Sequence, residues 1–270
     1  MKYNPKHYLF VCFILFLLIF GSRTSYSQMG MDNSTLALYN FNTPSNKIVI
    51  NEAGNDKLNG ELFGDAKITQ GPGKMGGGLV LDGEGDYLRV NPFGNPEEGT
   101  IELWFKVPHA NPSAKSLAPG VLWTITGACK EYGESSDSPF IIATHTGLAP
   151  PNLWFGIWTD KWNLADSGTD PKNLAGEWHH VAGTWGKRGL EIFIDGKLAG
   201  SNKDFKDPLP DPAYKAWIIG SDSWKADIEG IIDGVRLSNK QRTASELLLS
   251  LPVESLGKLA TTWASVKLYY

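Results

Sequence analysis

The stretch Gly176–Gly200 reads GEWHHVAGTWGKRGLEIFIDGKLAG and contains two segments with the residue pattern of β-strands. In Trp178–Trp185 and in Leu190–Ile194, successive side chains divide between two faces, as they do on a strand. Asp195 and Gly196 follow directly and supply the positive-φ positions that a two-residue hairpin turn needs. The stretch therefore predicts strands of an antiparallel sheet joined by tight turns.

Two adjacent histidines, His179 and His180, lie in the first of these strands. Because neighbouring side chains point to opposite faces, the two imidazoles cannot converge on one metal ion while the strand stays regular. We expect one ring to lie in or beside the core with hydrogen-bonded nitrogens, and the other on the opposite face. Glu191 and Asp195 would share a face, as a carboxylate pair for glycoside hydrolysis would. Asp195 also fits a structural role in the turn, which is the favoured interpretation.

The same alternation recurs along the chain. In Thr100–Val107, Ile101, Leu103 and Phe105 alternate with polar or outward-facing residues. Clusters of Gly, Pro, Asn and Asp separate the segments, which is typical of a β-sandwich. The other predicted strands are Leu36–Phe41, Gly78–Leu81, Tyr87–Val90, Val121–Thr126, Leu153–Trp158, Ala216–Ile219 and Ile228–Leu237.

Helical and loop segments are few. A capping-box pattern from Thr243 to Glu246 predicts a short C-terminal helix that ends at Ser250. Long polar segments are predicted to be loops, where binding residues are often found: Pro108–Gly120, Tyr132–Pro139, Asn163–Glu177 and Ser201–Ala213.

The first 27 residues have the features of a secretory signal peptide, with a basic start, the apolar run Tyr8–Phe20 and small residues before Gln28. The apolar run is shorter than the roughly 20 residues that cross a bilayer, although a signal anchor is the alternative. We therefore expect an exported protein (secreted, periplasmic or at the cell surface) with no transmembrane segment after cleavage. The predicted organisation is a signal peptide (1–27), one jelly-roll domain (32–250) and a C-terminal tail (251–270).

Charge and cysteine content limit the possible functions. The formal net charge is −4, and the predicted signal segment carries basic but no acidic side chains, so the remaining chain is more acidic. An acidic chain without a basic stripe does not favour nucleic acid as a partner. Of the two cysteines, Cys12 lies in the signal segment, which leaves Cys129 without an internal disulfide partner.

Four blocks in this order and spacing resemble a known family: LVLDGEGDYLRV (79–90), TIELWFKV (100–107), the 176–200 stretch, and IIGSDSW through GIIDGVRLSNKQRTASEL (218–247). Together they resemble the laminin G-like (LamG) jelly-roll domain of the concanavalin A-like lectin/glucanase superfamily. The resemblance implies an all-β fold of two antiparallel sheets packed face to face. It also implies binding more often than catalysis, with ligands at a loop rim or on a concave face, and often a rim calcium ion.

The glucanases of that superfamily carry two glutamates that bracket an aspartate along one strand. The nearest acidic group here is Asp227, Glu229 and Asp233, whose order and spacing differ from that pattern. The resemblance therefore implies a protein without catalytic residues.

Aromatic residues give the clearest indication of a ligand. Flat aromatic rings stack on the apolar faces of sugars, while neighbouring carboxylates and amides bind the hydroxyl groups. For Trp154 and Trp158, burial in the core is the alternative, since Trp is highly buried on average. Trp162 is predicted to lie on a loop just beyond the strand Leu153–Trp158. The candidate ligand-binding residues are Trp154, Trp158, Asp160, Trp162, Asn163 and Trp224.

Calcium is a possible cofactor. Asp82 and Asp86 flank a glycine-spaced acidic segment, and Asp233 lies in a second acidic region. Calcium takes six to eight oxygen ligands, many from carboxylates, so these three residues are the candidate ligands. A turn between two strands, capped by Asp86, is the favoured alternative.

The sequence thus predicts an exported, non-catalytic module that binds carbohydrate. A protein-adhesion or structural envelope protein is the alternative, and a divergent glycoside hydrolase or lyase is the third hypothesis. A sugar binder should bring Trp162 and nearby acids together on an open surface. An adhesion protein should instead show an apolar patch of several hundred Å², and an enzyme needs two carboxylates facing one cleft.

Overall fold

The computed structural model describes residues 30–45, 47–109, 121–130, 132–133, 138–145, 152–209 and 214–248. The predicted signal peptide, the tail 251–270, residues 110–120 of the first predicted loop and residues 134–137 of the second lie outside these residues. The strands are β1 (Thr35–Tyr39), β2 (Ile48–Val49), β3 (Gly60–Phe63), β4 (Lys67–Thr69), β5 (Gly78–Asp82), β6 (Tyr87–Val90), β7 (Gly99–Lys106), β8 (Val121–Cys129), β9 (Phe140–His145), β10 (Asn152–Trp158), β11 (Trp162–Asp166), β12 (His179–Trp185), β13 (Leu190–Ile194), β14 (Lys197–Asn202), β15 (Ala216–Ile219) and β16 (Glu229–Ser238).

The strands form two sheets, and every strand pair in them is antiparallel. The first sheet has the order β14-β13-β12-β7-β16-β5-β4, with β1 also paired to β16. The second sheet has the order β11-β10-β9-β8-β15-β6-β3-β2. This arrangement confirms the predicted two-sheet antiparallel sandwich. No helix in the described part of the chain is long and apolar enough to cross a membrane.

The core lies between the two sheets and follows from the alternation in the sequence. Ile101, Leu103 and Phe105 on β7 point inward and are fully buried. They share one apolar cluster with residues of the second sheet such as Trp123 and Trp217. Burying this apolar surface is the main favourable contribution to folding.

All ten predicted strands are present, with ends shifted by at most three residues. Six further strands were not predicted. β2 and β4 have only two and three residues, and the edge strands β11 (WNLAD) and β14 (KLAGSN) are rich in polar residues. The predicted loops Asn163–Glu177 and Ser201–Ala213 were therefore wrong at their starts, which belong to strands β11 and β14.

The predicted helix from Thr243 to Ser250 was wrong at Leu247 and Leu248, and Leu249 and Ser250 lie outside the described residues. The capping box of Thr243 and Glu246 is present, but it opens only a 3-10 turn, Ala244–Glu246. The chain then extends because the first sheet binds its backbone. The Leu248 N–H donates to Glu102 at 2.7 Å, and the Trp104 indole donates to the Leu248 carbonyl at 3.0 Å.

Glu246 gives this turn a pH-dependent stability. Hydrogen bonds from Lys240 and from the Thr243 backbone lower its pKa to about 2. A carboxyl whose folded-state pKa is depressed stabilises the fold above its unfolded value and loses that contribution as the pH falls. Glu246→Gln should lower the unfolding free energy by at most about 1 kcal/mol at neutral pH, because the Lys240–Glu246 pair is partly exposed. We expect this difference from wild type to shrink as the pH falls from 5 to 2. Urea unfolding at several pH values measures it, and a difference that stays constant would contradict the assignment.

The two histidines occupy opposite faces of β12, as predicted. The His179 ring lies 2.9 Å from the carboxylate of Asp195, which also accepts the backbone N–H of His180. Asp195 has a φ of 49° and Gly196 a φ of 75°, which confirms the predicted turn. The contacts of the His179 ring and of Asp195 thus hold the hairpin in place.

His180 belongs to a buried charged network on the outer face of the first sheet. Its Nε2 lies 3.1 Å from Glu102, and the Arg236 Nε donates to the same carboxylate at 2.7 Å. Arg236 also donates to the carbonyls of Gly30 and Glu246. The network therefore attaches both ends of the described chain to the sheet.

Candidate functional site

A groove of about 560 Å³ lies at one edge of the sandwich, between β11 of the second sheet and β14 of the first. The two edge strands come very close where Gly200 faces Asp166. A Cβ atom on Gly200 would lie only 1.9 Å from the Asp166 carbonyl oxygen. Residues from both edges line the groove, among them Asp160, Trp162, Asn163, Asn202, Asp204 and Asp207.

This close approach predicts the effect of a single methyl group. Gly200→Ala should lower the unfolding free energy by about 1–3 kcal/mol, since overpacking of a tight contact forces the backbone to shift. The exposed neighbour Ser201 provides a control, because Ser201→Ala should change stability by less than about 0.5 kcal/mol. Urea unfolding compares the two variants. Equal stability of both would show that β11 and β14 are not in contact.

The aromatic part of the site is a cluster of three tryptophans, all of them predicted ligand-binding residues. Trp154 and Trp158 lie on one face of β10, and Trp162 is the first residue of β11 rather than a loop residue. The Trp162 ring packs edge-on against both other rings, with centroid distances of 5.4 Å in each case. Trp154 is buried, whereas Trp158 and Trp162 are half-buried. The cluster therefore holds the Trp162 ring in a fixed orientation at the groove.

The turn between β10 and β11 is fixed by side-chain hydrogen bonds. The Asn163 amide donates to the Thr159 hydroxyl at 3.1 Å and to the Lys161 carbonyl at 3.2 Å. The Thr159 hydroxyl in turn donates to Asp160 at 2.9 Å. The Asn163 amide nitrogen thus supports the turn that presents Asp160 and Trp162.

The groove is electronegative. Its described lining contains the exposed carboxylates of Asp160, Asp204 and Asp207 and a single cation, Lys161. The hydrogen bond from Thr159 holds the pKa of Asp160 below its ordinary value, so this carboxylate is ionised at neutral pH. Ionised carboxylates only accept hydrogen bonds, and sugar hydroxyl groups can donate them. A neutral polyol fits this groove better than an anion.

The structure does not bring all predicted ligand-binding residues together. Asp160, Trp162 and Asn163 line the groove. Trp154 and Trp158 support the Trp162 ring from the side. Trp224 is half-buried in a separate turn, where its backbone N–H donates to Asp222 at 2.7 Å. Asn202, Asp204 and Asp207 were missed because they are about 40 residues away in sequence.

The candidate calcium ligands are divided between two places. Asp82 and Asp86 lie with Asp65, with one oxygen of each within 4.8 Å of the others. Asp86 also caps the turn, because its two oxygens accept the backbone N–H groups of Asp65 and Asp82. Burial, together with the charge of Asp82, raises the pKa of Asp86 to about 6. Three carboxylates, two of which already accept backbone N–H groups in the turn, fit calcium only in part, since calcium takes six to eight oxygens.

Asp233 is not part of this acidic group. Its carboxylate accepts the backbone N–H groups of Met75 at 2.8 Å and Gly234 at 2.7 Å, and it holds the segment before β5 against β16. Burial raises its pKa to about 7. Calcium binding therefore stays a prediction that rests on the group around Asp82 and Asp86.

The two antiparallel sheets packed face to face form a jelly-roll sandwich. A polar and aromatic groove lies at one of its edges. Residues 82–248 match a laminin G family model, and the chain belongs to the concanavalin A-like lectin/glucanases superfamily. The resemblance inferred from the sequence blocks is confirmed. The chain has no match among curated protein sequences.

Several solved structures have the same fold. Domain 4 of AbnA, a GH43 extracellular arabinanase from Geobacillus stearothermophilus, in complex with arabinotriose, is 20% identical, with a TM-score of 0.56 over 79% of this chain and 96% of that one. The binding domain of Paraclostridial Mosquitocidal Protein 1 is 14% identical, with a TM-score of 0.57 over 79% and 51%. Trypanosoma rangeli sialidase in complex with the inhibitor DANA is 14% identical, with a TM-score of 0.52 over 78% and 32%.

At these identities the likeness shows the fold alone. The match spans about half the length of the mosquitocidal binding domain and about a third of the sialidase. The fold therefore occurs both in binding domains and within an enzyme, and the choice between these functions depends on the site.

Proposed function

We propose that the protein is an exported, non-catalytic carbohydrate-binding module, and that the groove between β11 and β14 binds a neutral glycan. The observation that carries this proposal is the position of Trp162, held by two other tryptophan rings beside Asp160, Asp204 and Asp207. The indole ring provides apolar surface for a sugar face. The carboxylates accept hydrogen bonds from its hydroxyl groups.

The buried carboxylates support a role without catalysis. Asp222 has a raised pKa because it is buried, but its oxygens accept the Thr124 hydroxyl and the backbone N–H groups of Trp224 and Ala226. Asp233 likewise accepts two backbone N–H groups. These hydrogen bonds give both carboxylates a structural role: Asp222 holds a turn, and Asp233 holds the segment before β5 against β16.

Adhesion to another protein receives less support from the surface. The large hydrophobic residues exposed in the described part of the chain are Ile48, Ile50 and Leu198. Ile48 and Ile50 lie at β2 in the second sheet and Leu198 lies in β14 of the first. An adhesive surface would present a continuous apolar patch of several hundred Å².

The test is a titration of the purified protein with soluble neutral polysaccharides, followed by tryptophan fluorescence and calorimetry. Arabinan belongs in the panel beside galactan, xylan and β-glucan, because a structural relative was solved with arabinotriose. We expect saturable binding to one glycan class and no release of reducing ends. Absence of binding by the folded protein would overturn the proposal, and release of reducing ends would show an enzyme instead.

A further inference from the structure

A second cavity, of about 320 Å³, lies on the second sheet away from the groove. Its residues come from β3, β6 and β15 and from the segments that follow β8 and precede β15. Four strand spacings, about 19 Å of sheet, separate β15 from β11. None of the residues that line the groove lines this cavity.

Three stacked aromatic rings form one side of the cavity. The Tyr87 ring lies between Phe63, with a centroid distance of 4.9 Å, and Tyr132, with a centroid distance of 4.4 Å. Tyr87 is buried, whereas Phe63 and Tyr132 at the ends of the stack are half-buried. The half-buried rings at the two ends of the stack provide an apolar surface against which a sugar ring can pack, while Ile218 lies fully buried beneath the cavity.

Hydrogen bonds hold the stack in place. The Tyr132 hydroxyl donates to Asp227, with distances of 2.9 and 2.8 Å to its two oxygens. Asp227 also accepts the Ser221 hydroxyl and the backbone N–H of Gly85. The Lys225 ammonium lies 5.3 Å from the centroid of the Tyr132 ring. Tyr132 is thus positioned without any ligand, which lowers the entropy cost of binding.

The remaining wall of the cavity is basic. Arg89 on β6, Lys130 and Lys215 line it, and none of the three forms an ion pair with another described residue. Glu61 pairs with Arg89 in the sheet register, but its ion pair is with Lys47, at 4.0 Å. Three cations without a carboxylate partner among the described residues contrast with the net charge of −4 of the whole chain.

We propose that this cavity is a second binding site, specific for an acidic saccharide, a sugar ring that carries a carboxylate or sulfate group. The three cations complement the anionic group, and the aromatic stack contacts the ring. The volume is at the lower end of the range for small-ligand sites, which suits one or two sugar rings. This proposal does not rest on the proposed groove site, whose negative charge selects against the same ligand.

Calorimetry with three probes tests the proposal: trigalacturonic acid, its methyl ester, which is neutral, and a sulfated heparin trisaccharide. We expect saturable binding of at least one acidic probe, weakened by added salt. The methyl ester should bind about tenfold more weakly or not at all, because it loses charge-assisted hydrogen bonds. The two acidic probes together identify whether carboxylate or sulfate is preferred.

Matched charge variants locate the site. Lys130→Ala with Lys215→Ala should lower affinity for the acidic probe about tenfold or more. Lys67→Ala with Lys197→Ala removes the same charge from exposed positions on the first sheet and should change affinity less than about twofold. Trp162→Ala should leave acidic binding unchanged, so failure of the groove site and of this site are distinguishable. The proposal is overturned by equal binding of acid and ester, by equal effects of the two double variants, or by no binding of either acidic probe.

Discussion

Replacing Glu102 by alanine should lower the free energy of unfolding by about 3–5 kcal/mol, the cost of removing one partner from a buried ion pair. Glu102 is fully buried, and its carboxylate accepts hydrogen bonds from Arg236, from His180 and from the Leu248 backbone N–H. Burial alone raises its pKa, but the bond from His180 and the charge of Arg236 outweigh that effect and lower the pKa. The variant leaves the buried Arg236 guanidinium without its carboxylate.

Urea unfolding measures this loss, and an exposed ion pair provides the control. Glu61 lies 4.0 Å from Lys47, and both side chains are well exposed. Glu61→Ala should therefore cost less than about 1 kcal/mol. If Glu102→Ala does not fold, Glu102→Gln keeps the side-chain shape and should still be clearly less stable than wild type. Equal stability of the Glu102 and Glu61 variants would contradict the buried network.

Replacing Trp162 by alanine should weaken binding of the neutral glycan about 30-fold or more. Truncating a tryptophan that anchors a binding site typically costs at least about 2 kcal/mol of binding energy. Trp162 lines the groove, whereas the other two tryptophans of the cluster do not. Calorimetry with the glycan identified in the panel measures the change.

Trp224→Ala is the matched control for this prediction. Trp224 is also a half-buried tryptophan, but it lies in a separate turn outside the groove lining. Its removal should change glycan affinity less than about twofold, because it has no contact with the proposed ligand. A larger loss with Trp224→Ala than with Trp162→Ala would place the binding site elsewhere.

Much of the sandwich could be predicted from local pattern. β7 and β12 alternate clearly because one face of each packs into the core, and the Asp195–Gly196 turn has a specific residue signature. The edge strand β11 lacked this signal, since Trp162 and Leu164 face an outer apolar cluster rather than the core. The C-terminal segment was misassigned because a capping box reports only the local turn, while Glu102 and Trp104 determine the path of Leu248.

The candidate groove was predictable only on one side. Asp160, Trp162 and Asn163 are close in sequence, so one aromatic and polar stretch indicated them. Asn202, Asp204 and Asp207 join them through the meeting of two sheet edges, which no local pattern reports. The basic cavity was missed for the same reason, because Arg89, Lys130 and Lys215 come from separate segments.

The most direct test of the glycan groove is the indole N–H region of an NMR spectrum recorded during glycan titration. The sequence has ten tryptophans, and comparison with Trp162→Phe assigns the resonance of Trp162 among them. We predict that the Trp162 indole signal shifts progressively and saturates with the bound glycan, whereas the Trp224 signal does not move. A Trp162 signal that stays fixed throughout the titration would contradict the assignment of the groove as the carbohydrate site.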